Sequence, residues 1–106
     1  MAQIQLPVRN DFPAYEFQVE LEGRVYILGF RFNTRANRWF MDIKDQSQTP
    51  IIMGILVQQG VPLTRAYVRE ALPPGNFWAI DQTGEAKEPD RENFGVDLIL
   101  IYEESA

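Results

Sequence analysis

The stretch Tyr15-Glu16-Phe17-Gln18-Val19-Glu20-Leu21-Glu22-Gly23-Arg24-Val25-Tyr26-Ile27-Leu28-Gly29-Phe30-Arg31-Phe32 decides the fold. Tyr15, Phe17, Val19 and Leu21 alternate with Glu16, Gln18 and Glu20, the period-two signature of a strand with one face buried. Glu22-Gly23 is a two-residue turn of the kind that closes a hairpin. Beyond it, Tyr26, Leu28, Phe30 and Phe32 alternate with Val25, Ile27, Gly29 and Arg31, so the chain pairs back antiparallel. Both faces of this second strand are largely apolar, which predicts a central place in its sheet.

The same period continues outward. After the turn-tolerant residues Asn33 to Asn37, Trp39, Met41 and Ile43 alternate with Phe40, Asp42 and Lys44, predicting a third strand. Asp45 to Thr49 is a polar break. Pro50 to Val57 is a near-continuous apolar run whose length predicts a strand buried on both faces, with Gly54 marking a bulge or a close backbone approach. Val61 to Leu72 is weaker and reads as an irregular strand. Pro73-Pro74-Gly75 forces a break before a short strand over Phe77 to Asp81, closed by Gln82 to Glu85. Ala86 to Gly95 reads as an exposed loop with one helical turn at Asp90 to Asn93. Val96 to Tyr102 is the last strand. The expectation is an all-β chain: a small antiparallel β-barrel or sandwich of about six to seven strands. No internal repeat or linker divides it, so residues 1–106 read as a single β domain. Two peripheral segments, Ile4 to Val8 and the last strand, offer edges that either add to a neighbour's sheet or pair within the chain.

Composition narrows the chemistry. Cysteine and histidine are both missing, which removes disulfides, Cys/His zinc sites and the Ser-His-Asp and Cys-His catalytic arrangements. The first residues lack the basic start and apolar run of a secretory leader, and no apolar stretch approaches the length of a membrane span, so no membrane contact is expected. A net charge of −5 disfavours non-specific binding to nucleic acid. Arginine nonetheless outnumbers lysine eight to two, a bias that suits protein contacts.

Arg31, Arg35 and Arg38 interleave with Phe32, Trp39 and Phe40, the ingredients of a stacking platform on a small barrel. The phase argues otherwise, since Phe30, Phe32 and Trp39 fall in step with core positions and leave the arginines flanking a hairpin end. Asp42 with Asp45, Asp81 with Glu85, and Glu88, Asp90 and Glu92 are the available carboxylate groups, and they read as turn and surface residues rather than an acid–base pair or a calcium loop. The glycines never form a phosphate-binding pattern, and Ser47 and Ser105 lie in a turn and a tail. No catalytic residue, cofactor site or metal site is expected.

Taken along its whole length, roughly Gln3 to Glu103, the string resembles the baseplate plug proteins of cyanophages and related contractile-tailed phages. The residues that carry the likeness are Phe17 to Gly23, Tyr26 with Phe30 and Asn33, Arg38-Trp39 with Asp42, Pro50-Ile51 with Gly54, Pro73-Pro74-Gly75 before Phe77, and Leu98 to Tyr102. One departure is the break Asp45-Gln46-Ser47-Gln48-Thr49, where the family pattern has a turn containing glycine. The resemblance implies a non-enzymatic virion component at the centre of the tail baseplate, assembled in the host cytoplasm. It would contact the hub, the spike, the tube initiator and its own symmetry mates as part of a symmetric homo-oligomer. Arg31, Arg35, Arg38 and Trp39 are the first interface candidates, with Arg65 and Arg69 behind them. The alternative is a small-barrel binding module for nucleic acid or peptide.

Overall fold

A computed structural model describes residues 3–67 and 70–105. The chain runs through β1 (Gln3–Leu6), β2 (Ala14–Leu21), β3 (Arg24–Asn33), β4 (Arg38–Asp45), β5 (Pro50–Leu56), β6 (Asn76–Asp81) and β7 (Leu98–Glu103). These form two antiparallel sheets, β2-β3-β4-β5 and β1-β7-β6, so the architecture is an open all-β sandwich and not a closed barrel. Period-two alternation is the same in both, which is why the sequence alone leaves the choice open.

The hairpin read first forms as its alternation requires. Leu21 pairs with Arg24 around Glu22 and Gly23, whose φ angles are 51° and 86°. Positive φ at both central residues is the condition for the tight turn that matches strand twist. β3 is flanked by β2 and β4, in keeping with its two apolar faces: Tyr26, Leu28 and Phe30 enter the core while Ile27 is buried on the other side. The core joins both sheets, with Leu21, Trp39, Met41, Ile43, Ile52 and Ile55 from the larger, Leu6, Phe77, Ala79, Leu100 and Tyr102 from the smaller, and Phe94 from a loop.

Three local expectations are corrected. The run Pro50 to Val57 is not buried on both faces: β5 is an edge strand, and Met53 is half exposed. Ile52 and Ile55 both face the core although they are three apart, because they sit opposite Ile43 and Met41, which are two apart. One extra residue is accommodated as a bulge at Gly54, where φ is 76°. The phase slip is what makes the apolar run look continuous. Val61 to Leu72 yields turns in its described part and no strand; isolated bridges join Gln59 and Pro62 to β6. The Ala86 to Gly95 loop is not exposed throughout, since Pro89, Asn93 and Phe94 are buried. Within it Asp90 to Asn93 makes a hydrogen-bonded turn without helix, because Asp90 Oδ1 accepts the Glu92 and Asn93 amides at 2.8 and 2.9 Å.

The two peripheral segments also part company. β1 is an edge strand paired within the chain to β7, whereas β7 lies between β1 and β6 and has no edge to offer. The departure at Asp45 to Thr49 has a local solution. Asp45 Oδ1 accepts the Ser47 and Thr49 amides, both at 2.9 Å, and Gln48 takes the left-handed position at φ 67°. An aspartate cap and a strained glutamine thus do what a glycine would do.

Candidate functional site

The arginine-rich hairpin between β3 and β4 is the first candidate surface. Arg31 lies on the outward face of the larger sheet, where its Nε and Nη2 donate to the two carboxylate oxygens of Asp42 at 2.9 and 3.0 Å. Asp42 Oδ1 also accepts the Gly54 amide at 2.8 Å, so one buried carboxylate ties β3, β4 and the β5 bulge together. This pairing raises the pKa of Arg31, chiefly through its hydrogen bonds to Asp42. The Arg31 side chain remains 56% exposed, which leaves its other guanidinium edge open to a partner.

Arg35 sits exposed at the hairpin tip, where Asn33 Oδ1 accepts the Ala36 amide at 2.9 Å and Asn37 adopts φ 53°. Arg38 is partly committed, 3.2 Å from Glu88, whose carboxylate also accepts the Gln59 amide at 3.0 Å. Trp39 is fully buried. Its Nε1 donates to the Asp90 carbonyl at 2.7 Å, and its ring meets those of Tyr15, Phe32 and Phe94 at 6.0, 5.3 and 5.1 Å. It supports the hairpin from beneath instead of offering a contact. The stacking platform loses Trp39 in the same way, while Phe32 and Phe40 stay half-buried on opposite faces of the larger sheet.

Arg65 belongs to a second surface. With Ile55, Leu56, Val61, Pro62 and Tyr67 it lines an open hollow of about 460 Å³ beyond the end of β5. Val61 and Tyr67 are exposed at 39% and 36%. An apolar depression rimmed by an arginine and a tyrosine has the composition of a protein contact. Arg69 lies outside the described residues. The arginine candidates therefore do not form one cluster: they occupy a sheet face, a hairpin tip and the rim of a hollow. The hollow was missed because Val61 to Leu72 has no period, although Val61, Tyr67 and Arg65 are visible in it as residue types.

The carboxylates are occupied with structure. Asp81 accepts the Thr83 and Lys87 amides at 2.9 Å each and the Thr83 hydroxyl at 2.7 Å, and the Lys87 amide leads in holding its pKa below the ordinary value. Glu85 pairs with Lys87 at 2.8 Å. Tyrosines brace the ends of the sandwich. Tyr15 exchanges hydrogen bonds with the Arg9 backbone at 2.8 and 2.9 Å, and burial pushes its pKa up to about 12. The Tyr102 hydroxyl accepts the Gly75 amide at 2.7 Å and donates to Glu22; burial first, and the Glu22 carboxylate second, raise its pKa. Among the described residues no group of three or more acidic side chains is arranged to hold a metal ion.

An open sandwich assigns no activity by itself, and what this one turns to solvent, its arginines and an apolar hollow, has the composition of protein contacts. The family model described as cyanophage baseplate Pam3 plug gp18 matches residues 1–105. The chain belongs to that family of structural phage baseplate plugs. No curated protein matches it.

Proposed function

We propose that this chain, folded as one β domain over residues 1–106, is the plug of a contractile-tail baseplate and works through protein contacts without catalysis or a bound cofactor. The observation that carries the reading is the family match, which spans residues 1–105 and so covers the fold whole. In this role the domain sits near the hub, the spike and the start of the tail tube, is assembled in the host cytoplasm and is carried into the virion. A symmetric arrangement of copies, or of neighbours around it, multiplies each small contact.

The physical properties support a rigid insert. Asp42, Asp45, Asp81 and Glu22 each tie two or more backbone or side-chain groups together. Arg31, Arg35 and Arg65, with Val61 and Tyr67, supply charge and apolar area for contacts. Mass spectrometry of purified virions, paired with a pull-down of the tagged chain from infected cells, tests the role. Stoichiometric recovery with hub and tube proteins is the expected result. Absence from virions would remove the reading.

A further inference from the structure

Four strand edges bound the two sheets, and three are covered, kinked or cut short. The outer side of β6 is covered, since Gly60 and Leu63 donate to the Ala79 and Phe77 carbonyls, both at 2.9 Å. β5 starts at a proline and is kinked by the Gly54 bulge. β1 is four residues long and runs into Pro7. These are the devices by which natural sheets prevent strand addition.

β2 has none of them. It is eight residues long, contains neither proline nor glycine, and keeps an unbroken register with β3. Pro13 accepts the Phe32 amide at 2.7 Å, so by alternation the odd residues bond towards β3. Ala14, Glu16, Gln18 and Glu20 then direct their amides and carbonyls away from the sheet. Among the described residues no backbone group bonds to that side.

The side chains beside this edge specify what fits it. On the inward face Tyr15, Phe17 and Val19 pack against the core but stay half-buried, at the end of a four-stranded sheet facing a three-stranded one. On the outward face stand Glu16, Gln18 and Glu20. Lys44 reaches Glu16 at 3.4 Å, and Glu20 has no ion-pair partner among the described residues. A second copy is a poor occupant. Two-fold pairing of β2 with itself about Gln18 sets Glu16 of each chain opposite Glu20 of the other, and like charges directly opposite are destabilising.

We propose that the β2 edge receives an extended segment of another protein as a fifth strand, apolar on its inward side chains and carrying lysine or arginine on its outward ones. Strand addition of this kind takes affinity from main-chain hydrogen bonds and specificity from alternate side chains. The proposal rests on the fold and its charges, not on the plug role.

The test is an NMR titration of the full chain with three short synthetic peptides: one alternating valine and lysine, one of the same composition in shuffled order, and one alternating valine and glutamate. The alternating lysine peptide should slow hydrogen exchange at the Glu16, Gln18 and Glu20 amides, and the other two should not. The double variant Glu16→Lys/Glu20→Lys should weaken that binding by about tenfold, from two cross-strand pairs turned repulsive. Gln18→Pro, which deletes only an outward amide, should abolish it; if that variant fails to fold, the exposed double variant still decides. Equal binding of all three peptides, no protection of these amides, or their protection by self-association without peptide would overturn the proposal. Edge binding by a chain absent from virions would remove the plug reading alone.

Discussion

The hydroxyl of Tyr102, on the middle strand of the smaller sheet, donates to the carboxylate of Glu22 in the β2–β3 turn of the larger one. The same oxygen accepts the Gly75 amide at 2.7 Å, and Glu22 reaches on to the Ser105 hydroxyl at 2.6 Å. Three distant parts of the chain thus meet at one fully buried tyrosine. Tyr102→Phe keeps the ring and removes the oxygen, leaving the buried Gly75 amide without its acceptor. The expected loss is about 1–3 kcal/mol, read as a lower urea midpoint at unchanged m value. Gly75→Ala should be worse, because a Cβ there would stand 2.1 Å from the Glu103 carbonyl oxygen.

Among the described residues three carboxylates have lowered pKa values, Asp11 through its hydrogen bond from Arg9 and, tying loops to the sheets, Glu22 and Asp81. The last two should contribute to the acid limb of stability. Hydrogen bonds from Ser105 and Tyr102 lower the pKa of Glu22 below its ordinary 4.5, and the Lys87 amide and Thr83 lower that of Asp81 below 3.8. For a depressed carboxylate the unfolded chain binds protons more readily, so the stabilisation is fully present above the ordinary value and is lost as pH falls through the folded one. Glu22→Gln/Asp81→Asn should therefore flatten the stability profile below about pH 4.5, and change its slope little near neutrality. Urea unfolding at stepped pH values checks this, and an unchanged acid slope would contradict it.

Arg31 and Asp42 share a bidentate pair, yet the two should respond unequally to truncation. Asp42 is buried, whereas Arg31 and Gly54 are exposed. Arg31→Ala leaves the buried carboxylate without its countercharge and should cost about 1–3 kcal/mol, whereas Asp42→Ala leaves a guanidinium and an amide that water can solvate and should cost about 1 kcal/mol or less. Equal losses would mean that water reaches the Asp42 carboxylate as soon as Arg31 is gone.

Much of this fold was legible because alternation reports burial directly. The β2–β3 hairpin, the β4 phase that sends Trp39 and Met41 inward, and the break at Pro73-Pro74-Gly75 all follow from residue type and spacing. The errors fall where one residue is added or a pattern is lacking. At Gly54 the bulge shifts the phase and turns an edge strand into an apparently buried one. β1 carries too few residues to show its pairing with β7, a contact closed across almost the whole chain. The candidate site was less legible. Residue type singled out Arg31, Arg35 and Arg65, but Trp39 belongs to the core, and only the folded chain brings Arg65 beside Ile55, Val61 and Tyr67.

The hollow beyond β5 is the surface whose loss should separate folding from assembly. Arg65 and Tyr67 are exposed, and neither takes part in a side-chain hydrogen bond or ion pair among the described residues. Surface changes away from caps, clamps and core usually shift stability by no more than about 0.5 kcal/mol. Arg65→Glu/Tyr67→Ala should therefore keep the urea midpoint of the parent chain. If the hollow meets a neighbour in the baseplate, the double variant reverses a charge and deletes an aromatic anchor at the contact. Truncating one such anchor costs about 2 kcal/mol or more, enough to reduce recovery in virions when the variant competes with the parent chain in infected cells. Quantitative mass spectrometry of purified particles reads that ratio directly. Equal incorporation of the two chains would remove the hollow from the set of baseplate contacts and leave the Arg31 and Arg35 surfaces to carry them.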